Sequence, residues 1–228
     1  MPYDTPIFRL MGDRSLLVEL GDEISPTVNQ RVQELFAAID LYPIEGVREL
    51  VSSYRSLLVI YNPLIISPAD LKRAIGGTYH KLDQAELPDP RTVKIPIVYG
   101  GERGPDLEDV ARYHHISPQE VIEHHLRPTY RVYMIGFTPG YPYMGEVPDA
   151  IVTPRRETPR ILVPRGSVGI AQRQTGIYSV DSPGGWQIIG WTPVNLFDPQ
   201  AQPPSLLIMG DRVRFQAISA QEANQWQP

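Results

Sequence analysis

The apolar positions of this chain change period as it is read from the N-terminus. IFRLM (Ile7–Met11) and SLLVEL (Ser15–Leu20) are short apolar-rich runs separated by Gly12-Asp13, which reads as two strands joined by a turn. Ser25-Pro26 then offers an N-cap and a first-turn proline. Behind them Val28, Val32, Leu35, Phe36 and Ile39 recur at helical spacing, one apolar face of a helix. Gly46 is followed by VRELVSSY and SLLVIYN, a second strand pair. Ser67-Pro68 repeats the cap signal before ADLKRAI, and Gly76-Gly77 lies near the end of that helix. TVKIPIVYG (Thr92–Gly100) closes the run as a strand. The order β-β-α-β-β-α-β predicts a compact sheet with two helices on one face, a small α/β sandwich of ferredoxin-like type, though the strict ferredoxin order differs.

Two short helices follow. DLEDVARYHH starts at Asp106 behind Pro105, and SPQEVIEHHL starts at Ser117, with Glu120 at the capping-box spacing. From Thr129 onward no helix is expected. YRVYMIGF, RILVP, SVGIA, GIYSV, WQIIGW and DRVRFQAI are short strand candidates bounded by Gly and Pro, the pattern of a closed or nearly closed β-barrel. ELPDPR reads as a linker, with the boundary near Leu87–Arg91. The expected class is therefore α+β, with an N-terminal α+β domain over 1–88 and a β-barrel domain over 89–228.

Composition narrows the functions. With 228 residues, 42% of them hydrophobic, the chain can bury a real core. A net charge of −5 argues against general nucleic-acid binding and against an anionic membrane surface. There are no cysteines, hence no disulfide framework, thiol nucleophile or Cys-based zinc site. No secretory signal or membrane-spanning run is evident, so a cytoplasmic protein is the expectation. About half of the 24 prolines fall between Pro128 and Pro204, interleaved with Val, Ile, Tyr and Leu, a mixture of ordered strands with fixed corners.

Candidate chemistry is sparse. No G-x-x-x-x-G-K-S/T loop occurs, and YGGERGPDL (Tyr99–Leu107) is the nearest glycine-rich loop. Asp106 within it stands where a helix N-cap belongs. Four of the five histidines, His114, His115, His124 and His125, end the two short helices, but adjacent histidines point to different faces and no metal site is expected. A single histidine acting as acid or base fits better. Ser167, in RGSVG, reads as a turn serine. PRRETPRILVPRGSVG (Pro154–Gly169) gathers Arg155, Arg156, Arg160 and Arg165, either a charged barrel edge or a site for carboxylate or phosphate. Phe137, Tyr141, Tyr143, Trp186 and Trp191 lie among Gly and Pro, as barrel plugs or partner anchors.

These motifs resemble a known family. YGGxxGPDL, TYRVYMIGFTPGYPYMG, the block TPRRETPRILVPRGSVGIAQRQTGIYSVDSPGGWQIIGWTP, LFDP and GDRVRF look like the 5-oxoprolinase B-subunit family, also called the KipI or allophanate hydrolase subunit 1-like family. GDRSLLVELGD and YRSLLVIYNP also fit, so the resemblance covers nearly the whole chain. It implies a cyclophilin-like β-barrel behind the α/β domain. It implies partners, a KipA-like C subunit together with an A subunit. With them the family opens 5-oxoproline to glutamate, hydrolysing ATP that is bound here or by a partner. Two other branches are an inhibitor of a sensor histidine kinase and half of a urea or allophanate-type carboxyltransferase.

Carried over residue by residue, Asp106 matches G-P-D-L, and His125 matches the histidine ending the short helix. Arg155, Arg156 and Arg160 match T-P-R-R-x-x-P-R; Gln174, Thr175 and Tyr178 match Q-T-G-x-Y; Trp186 matches S-P-G-G-W. Arg165 falls where the family is often small, and GYPYMG departs mildly from the usual G-F-P-Y-L-G. The expectations are His125 and Asp106 in catalysis, Arg155, Arg156, Arg160, Gln174, Thr175 and Tyr178 on substrate or phosphate, Tyr143 and Trp186 at a partner interface, and no metal beyond nucleotide-bound magnesium.

Overall fold

The computed structural model describes residues 1–82 and 89–226 and divides into two compact units, 1–89 and 90–228. The linker residues Glu86 to Pro88 lie outside the described residues. The first unit runs β1 (Pro2–Leu10), β2 (Ser15–Gly21), α1 (Pro26–Leu41), β3 (Val47–Ser52), β4 (Ser56–Tyr61) and α2 (Pro68–Tyr79). Its sheet is antiparallel in the order β1-β2-β4-β3. Alternate residues supply the buried face, Leu16, Val18 and Leu20 from β2 and Leu57, Val59 and Tyr61 from β4. The caps fall where the serines are: Ser25 Oγ accepts the Val28 N–H at 3.3 Å and Ser67 Oγ the Asp70 N–H at 3.2 Å. Val28, Val32, Leu35 and Ile39 of α1 bury against that face.

The strand Thr92–Tyr99, expected to close this sheet, belongs instead to the second unit as β5. It pairs in parallel with a strand near the C-terminus, Arg212–Ala217, over six residues. Local pattern shows that a strand exists, but its partner is chosen by a contact across more than a hundred residues.

After β5 come a 3-10 turn (Gly101–Arg103), α3 (Leu107–His114) and α4 (Pro118–Leu126). The strands that follow are β6 (Tyr130–Ile135), β7 (Pro142–Gly145), β8 (Arg160–Val163), β9 (Ser167–Ala171), β10 (Gln174–Ile177), β11 (Ser182–Gly184), β12 (Gln187–Trp191) and β13 (Arg212–Ala217), and α5 spans Ala220–Asn224. Seven strands close a barrel in the order β10-β7-β6-β13-β5-β12-β9, while β8 and β11 form a separate two-stranded ribbon. Ile95, Ile97, Val132, Met144, Val168, Ile170, Ile177 and Ile189 fill the barrel with zero accessible surface. β7, β11 and α5 escape the pattern reading. The first two are short and proline-bearing, and α5 rests on a capping box between Ser219 and Glu222 rather than on an apolar stripe. Among the described residues no helix is long and apolar enough to cross a membrane.

The loop after β5 lies hard against the barrel. A Cβ at Gly104 would meet the backbone carbonyl of Ile189 in β12, which cannot yield as a side chain can. Gly104→Ala is expected to cost about 2 kcal/mol of unfolding free energy, readable as a lower urea midpoint at unchanged slope.

Candidate functional site

The sheet through β7, β10, β9 and β12 has two faces, and the motif residues divide between them because side chains alternate along a strand. His125 goes inward. It is fully buried, stacked on Phe215 at 4.7 Å between ring centroids. Its Nδ1 lies 2.7 Å from the Tyr99 hydroxyl and its Nε2 2.9 Å from Thr175 Oγ1. Thr175 donates onward to the Gly169 carbonyl at 3.1 Å, so its oxygen accepts from Nε2–H, and Nδ1 accepts from Tyr99. The relay is closed with a neutral imidazole. Burial alone pushes the His125 pKa down from 6.5 to about 3.

These contacts correct two expectations. His125 is not placed as an acid or base, because both ring nitrogens are used and solvent does not reach them. Thr175, with zero accessible surface, faces the same interior and is not a substrate contact. The motif positions here specify the barrel's centre.

The outward face is aromatic and lined by glycine. Tyr141, Tyr178, Trp186 and Ile188 form a buried cluster with Val163 and Ala171, and Tyr143 packs against it. Tyr141 meets Tyr178 edge-on at 5.2 Å and Trp186 at 5.9 Å between centroids. Glycine makes the room: a Cβ at Gly176 would lie 2.6 Å from the Tyr141 hydroxyl, and one at Gly184 would strike the Tyr178 hydroxyl. Trp186 is 5% exposed, so it is a core residue of this face and not the partner anchor expected. Tyr178 is likewise buried, with the Trp186 backbone N–H on its oxygen. Tyr143 stays half-buried. Burial pushes its hydroxyl pKa up, and the nearby exposed Arg155 opposes the rise.

Beside this cluster sits a charged knot. Asp106 occupies the N-cap position of α3, yet its side chain caps nothing. It points outward from the helix, almost fully buried, and Oδ1 accepts from Arg156 Nη1 at 2.9 Å and Arg160 Nη2 at 2.6 Å. Oδ2 accepts the Ile188 backbone N–H at 2.6 Å. The ribbon is tied to the same point, since the Arg156 N–H donates to the Gly185 carbonyl at 2.8 Å and Gly184 pairs with Arg160. Asp106 thus ties the start of α3, the ribbon and β12 into one corner. A carboxylate so held orders the two guanidinium groups around it.

Of the expected anion-binding residues, Arg156 and Arg160 converge here, Arg155 stands exposed at the edge, and Gln174 is half-buried on β10. Arg165 is exposed on the turn, its backbone N–H bonded to Asp181 at 2.7 Å. One carboxylate does not answer two guanidinium groups. Arg156 Nε and Arg160 Nη1 are buried with no partner among the described residues. The sequence reading missed Tyr99, whose pairing with His125 depends on the barrel closing. It also passed over Arg103 and its contact with Trp191, which form only when β12 lies beside the loop after β5.

The family model for the carboxyltransferase domain, subdomains C and D, matches residues 6–207. The chain is 41% identical over 222 residues to the 5-oxoprolinase B subunit of Bacillus subtilis, covering 93% of this chain and 92% of that protein. It is 55% identical over 191 residues to the 5-oxoprolinase B subunit of Haemophilus influenzae, covering 83% and 89%. The crystal structure of TTHA0988 superposes with a TM-score of 0.82 at 38% identity over 91% of this chain, which spans 41% of that longer chain. Over nearly its whole length, therefore, this chain belongs to the 5-oxoprolinase B-subunit family, built on carboxyltransferase subdomains C and D.

Proposed function

We propose that this chain is the B subunit of an ATP-dependent 5-oxoprolinase in the cytoplasm, hydrolysing 5-oxo-L-proline to L-glutamate only when assembled with its A and C partners. The observation that carries the reading is the 55% identity to a named B subunit over most of both chains. The lactam is an unactivated amide in an unstrained five-membered ring, so opening it at neutral pH needs an activated electrophile. The nucleotide supplies that activation.

The cleft beside the charged knot does not fit a nucleoside triphosphate. The cleft beside the charged knot measures about 80 Å³, a fraction of a usual ligand pocket, and Arg160 within it is already tied to Asp106. We assign the nucleotide to one of the partners and give this chain the holding of the organic substrate. Asp106 fixes Arg156 and Arg160 in place before any ligand arrives, which lowers the ordering cost of binding.

The test mixes the purified chain with its A and C partners and follows glutamate release with and without ATP. Release that needs all three proteins and ATP supports the reading. An inert mixture, beside an active H. influenzae complex, overturns it. A second reading, half of a carboxyltransferase for urea or a related amide, draws on the family model over residues 6–207. It requires carboxyl transfer from carboxybiotin in the same mixtures, and no such requirement exists for the first.

A further inference from the structure

Glu102, Arg103 and Pro105 from the loop after β5, Arg160 and Val163 of the ribbon with Pro164 behind it, and the barrel residues Ser167, Ile188 and Trp191 line a cleft of about 80 Å³. Most of this wall is apolar. Two cations meet at it. Arg103 lies over the Trp191 ring, its Cζ 4.1 Å from the ring centroid. The ring itself is fixed, since Trp191 Nε1 donates to the Arg165 carbonyl at 2.9 Å and Gly166, at φ 82°, leaves no room for a Cβ beside it. On the other side stands Arg160, held by Asp106 through Nη2, with a quarter of its side chain exposed and its Nη1 buried and unpartnered among the described residues.

The charge is unbalanced. Within the corner Arg103, Arg156 and Arg160 face Asp106 and Glu102, an excess of one positive charge on a chain that is negative overall. A monoanion neutralises it; a nucleotide, or phosphate as its dianion, brings more charge than the corner can answer, and Glu102 at the rim repels the remainder. The volume suits a compact group, and the apolar wall suits a ring or short aliphatic body.

We infer that this cleft is the recognition site for the carboxylate of a small cyclic substrate, with Arg103 and Arg160 as its two guanidinium contacts and Trp191 as the support that aims Arg103. The inference rests on the proposed function for the name of the substrate, 5-oxo-L-proline, but the cleft's preference for a ring bearing one carboxylate stands apart from it. Arg103 then determines substrate affinity and takes no part in the bond that breaks.

Titration calorimetry on the 228-residue chain tests this with four probes: 5-oxo-L-proline, cyclopentanecarboxylate, 2-pyrrolidone (the lactam without a carboxylate) and inorganic phosphate. Both carboxylates are expected to bind, and 2-pyrrolidone and phosphate are not. Arg103→Gln, an exposed position where folding is not at stake, is expected to weaken carboxylate binding about tenfold or more. Trp191→Phe is expected to weaken it less, through loss of the support alone. In the reconstituted complex the same Arg103→Gln change should raise KM for 5-oxoproline with kcat nearly unchanged. Carboxylate binding indifferent to Arg103→Gln, binding of 2-pyrrolidone equal to that of 5-oxoproline, or phosphate competing at equal concentration overturns the assignment. Active complex with unaltered KM in the variant sinks the cleft and leaves the proposed function intact. Inert complex with Arg103-dependent binding of cyclopentanecarboxylate sinks the function and leaves the cleft.

Discussion

Replacing His125 by alanine is expected to lower unfolding free energy by about 3 to 5 kcal/mol, the largest single-residue effect in the barrel domain. The imidazole fills the barrel between Tyr99, Tyr130 and Phe215, so truncation opens a cavity of aromatic size. It also strands the Tyr99 hydroxyl, which then carries a desolvation cost without its hydrogen bond, and leaves Thr175 with the Gly169 carbonyl alone. Urea unfolding followed by near-UV circular dichroism measures the loss. A change smaller than about 1 kcal/mol would show that the relay is not closed as described.

The same residue sets an acid limit. Folded His125 titrates near 3 and an unfolded histidine near 6.5, so the unfolded chain binds the proton first as pH falls. Its contribution is complete above pH 6.5 and is lost as pH drops from 6.5 towards 3, at up to roughly 1.4 kcal/mol per pH unit. His114, whose pKa burial and the neighbouring His115 also lower, adds in the same direction. Carboxylates with depressed pKa values, such as Glu19 beside Arg9, contribute fully above the ordinary carboxylate range and lose that contribution only as pH falls below it. The interval from about pH 4.5 to 6.5 therefore belongs to the histidines. His125→Gln, whose amide can still accept from Tyr99 and donate to Thr175, should flatten the slope there; an unchanged slope would assign it elsewhere.

Asp106→Ala is expected to cost about 2 to 4 kcal/mol and to abolish the activity of the assembled complex. The carboxylate is buried, while its two arginine partners keep 33% and 25% of their side-chain surface in solvent, which moderates the penalty of leaving them unpaired. The Ile188 N–H loses its acceptor in the same change. A double-mutant cycle makes the claim specific. Adding Arg160→Ala to Asp106→Ala should destabilise further by less than Arg160→Ala does in the native background, because one of the stranded cations is gone. Strict additivity would mean the knot contributes nothing as a unit. Asp106→Asn retains one acceptor and should fall between wild type and alanine.

How much of this was legible in the sequence depends on the distance over which each feature is decided. Helices α1, α2 and α4 start at their Ser-Pro signals, since a cap involves residues three apart. The strands of the barrel stand out by composition and turn chemistry, with β7 and β11 too short to do so. The two-domain α+β class follows from the change of period near residue 90. Motif membership singled out Asp106, His125, Arg156, Arg160, Thr175 and Trp186 as residues that matter.

What they do was decided only by the fold. Gln174 and Thr175 are adjacent, yet the pleat sends Thr175 to the interior, so a single motif serves two faces. Asp106 had the position of a cap and became the tie for two arginines about fifty residues away, because closing the barrel brought the ribbon over α3. Arg103 and Trp191 carry no shared motif signal, and their contact exists because β12 pairs with β5. Sequence by itself determined most of the elements, the domain class and the family, all of which rest on short-range chemistry or on matching strings. Tertiary structure determined which side of the sheet each polar group faces, and with it the division between residues that hold the barrel together and residues that meet a ligand.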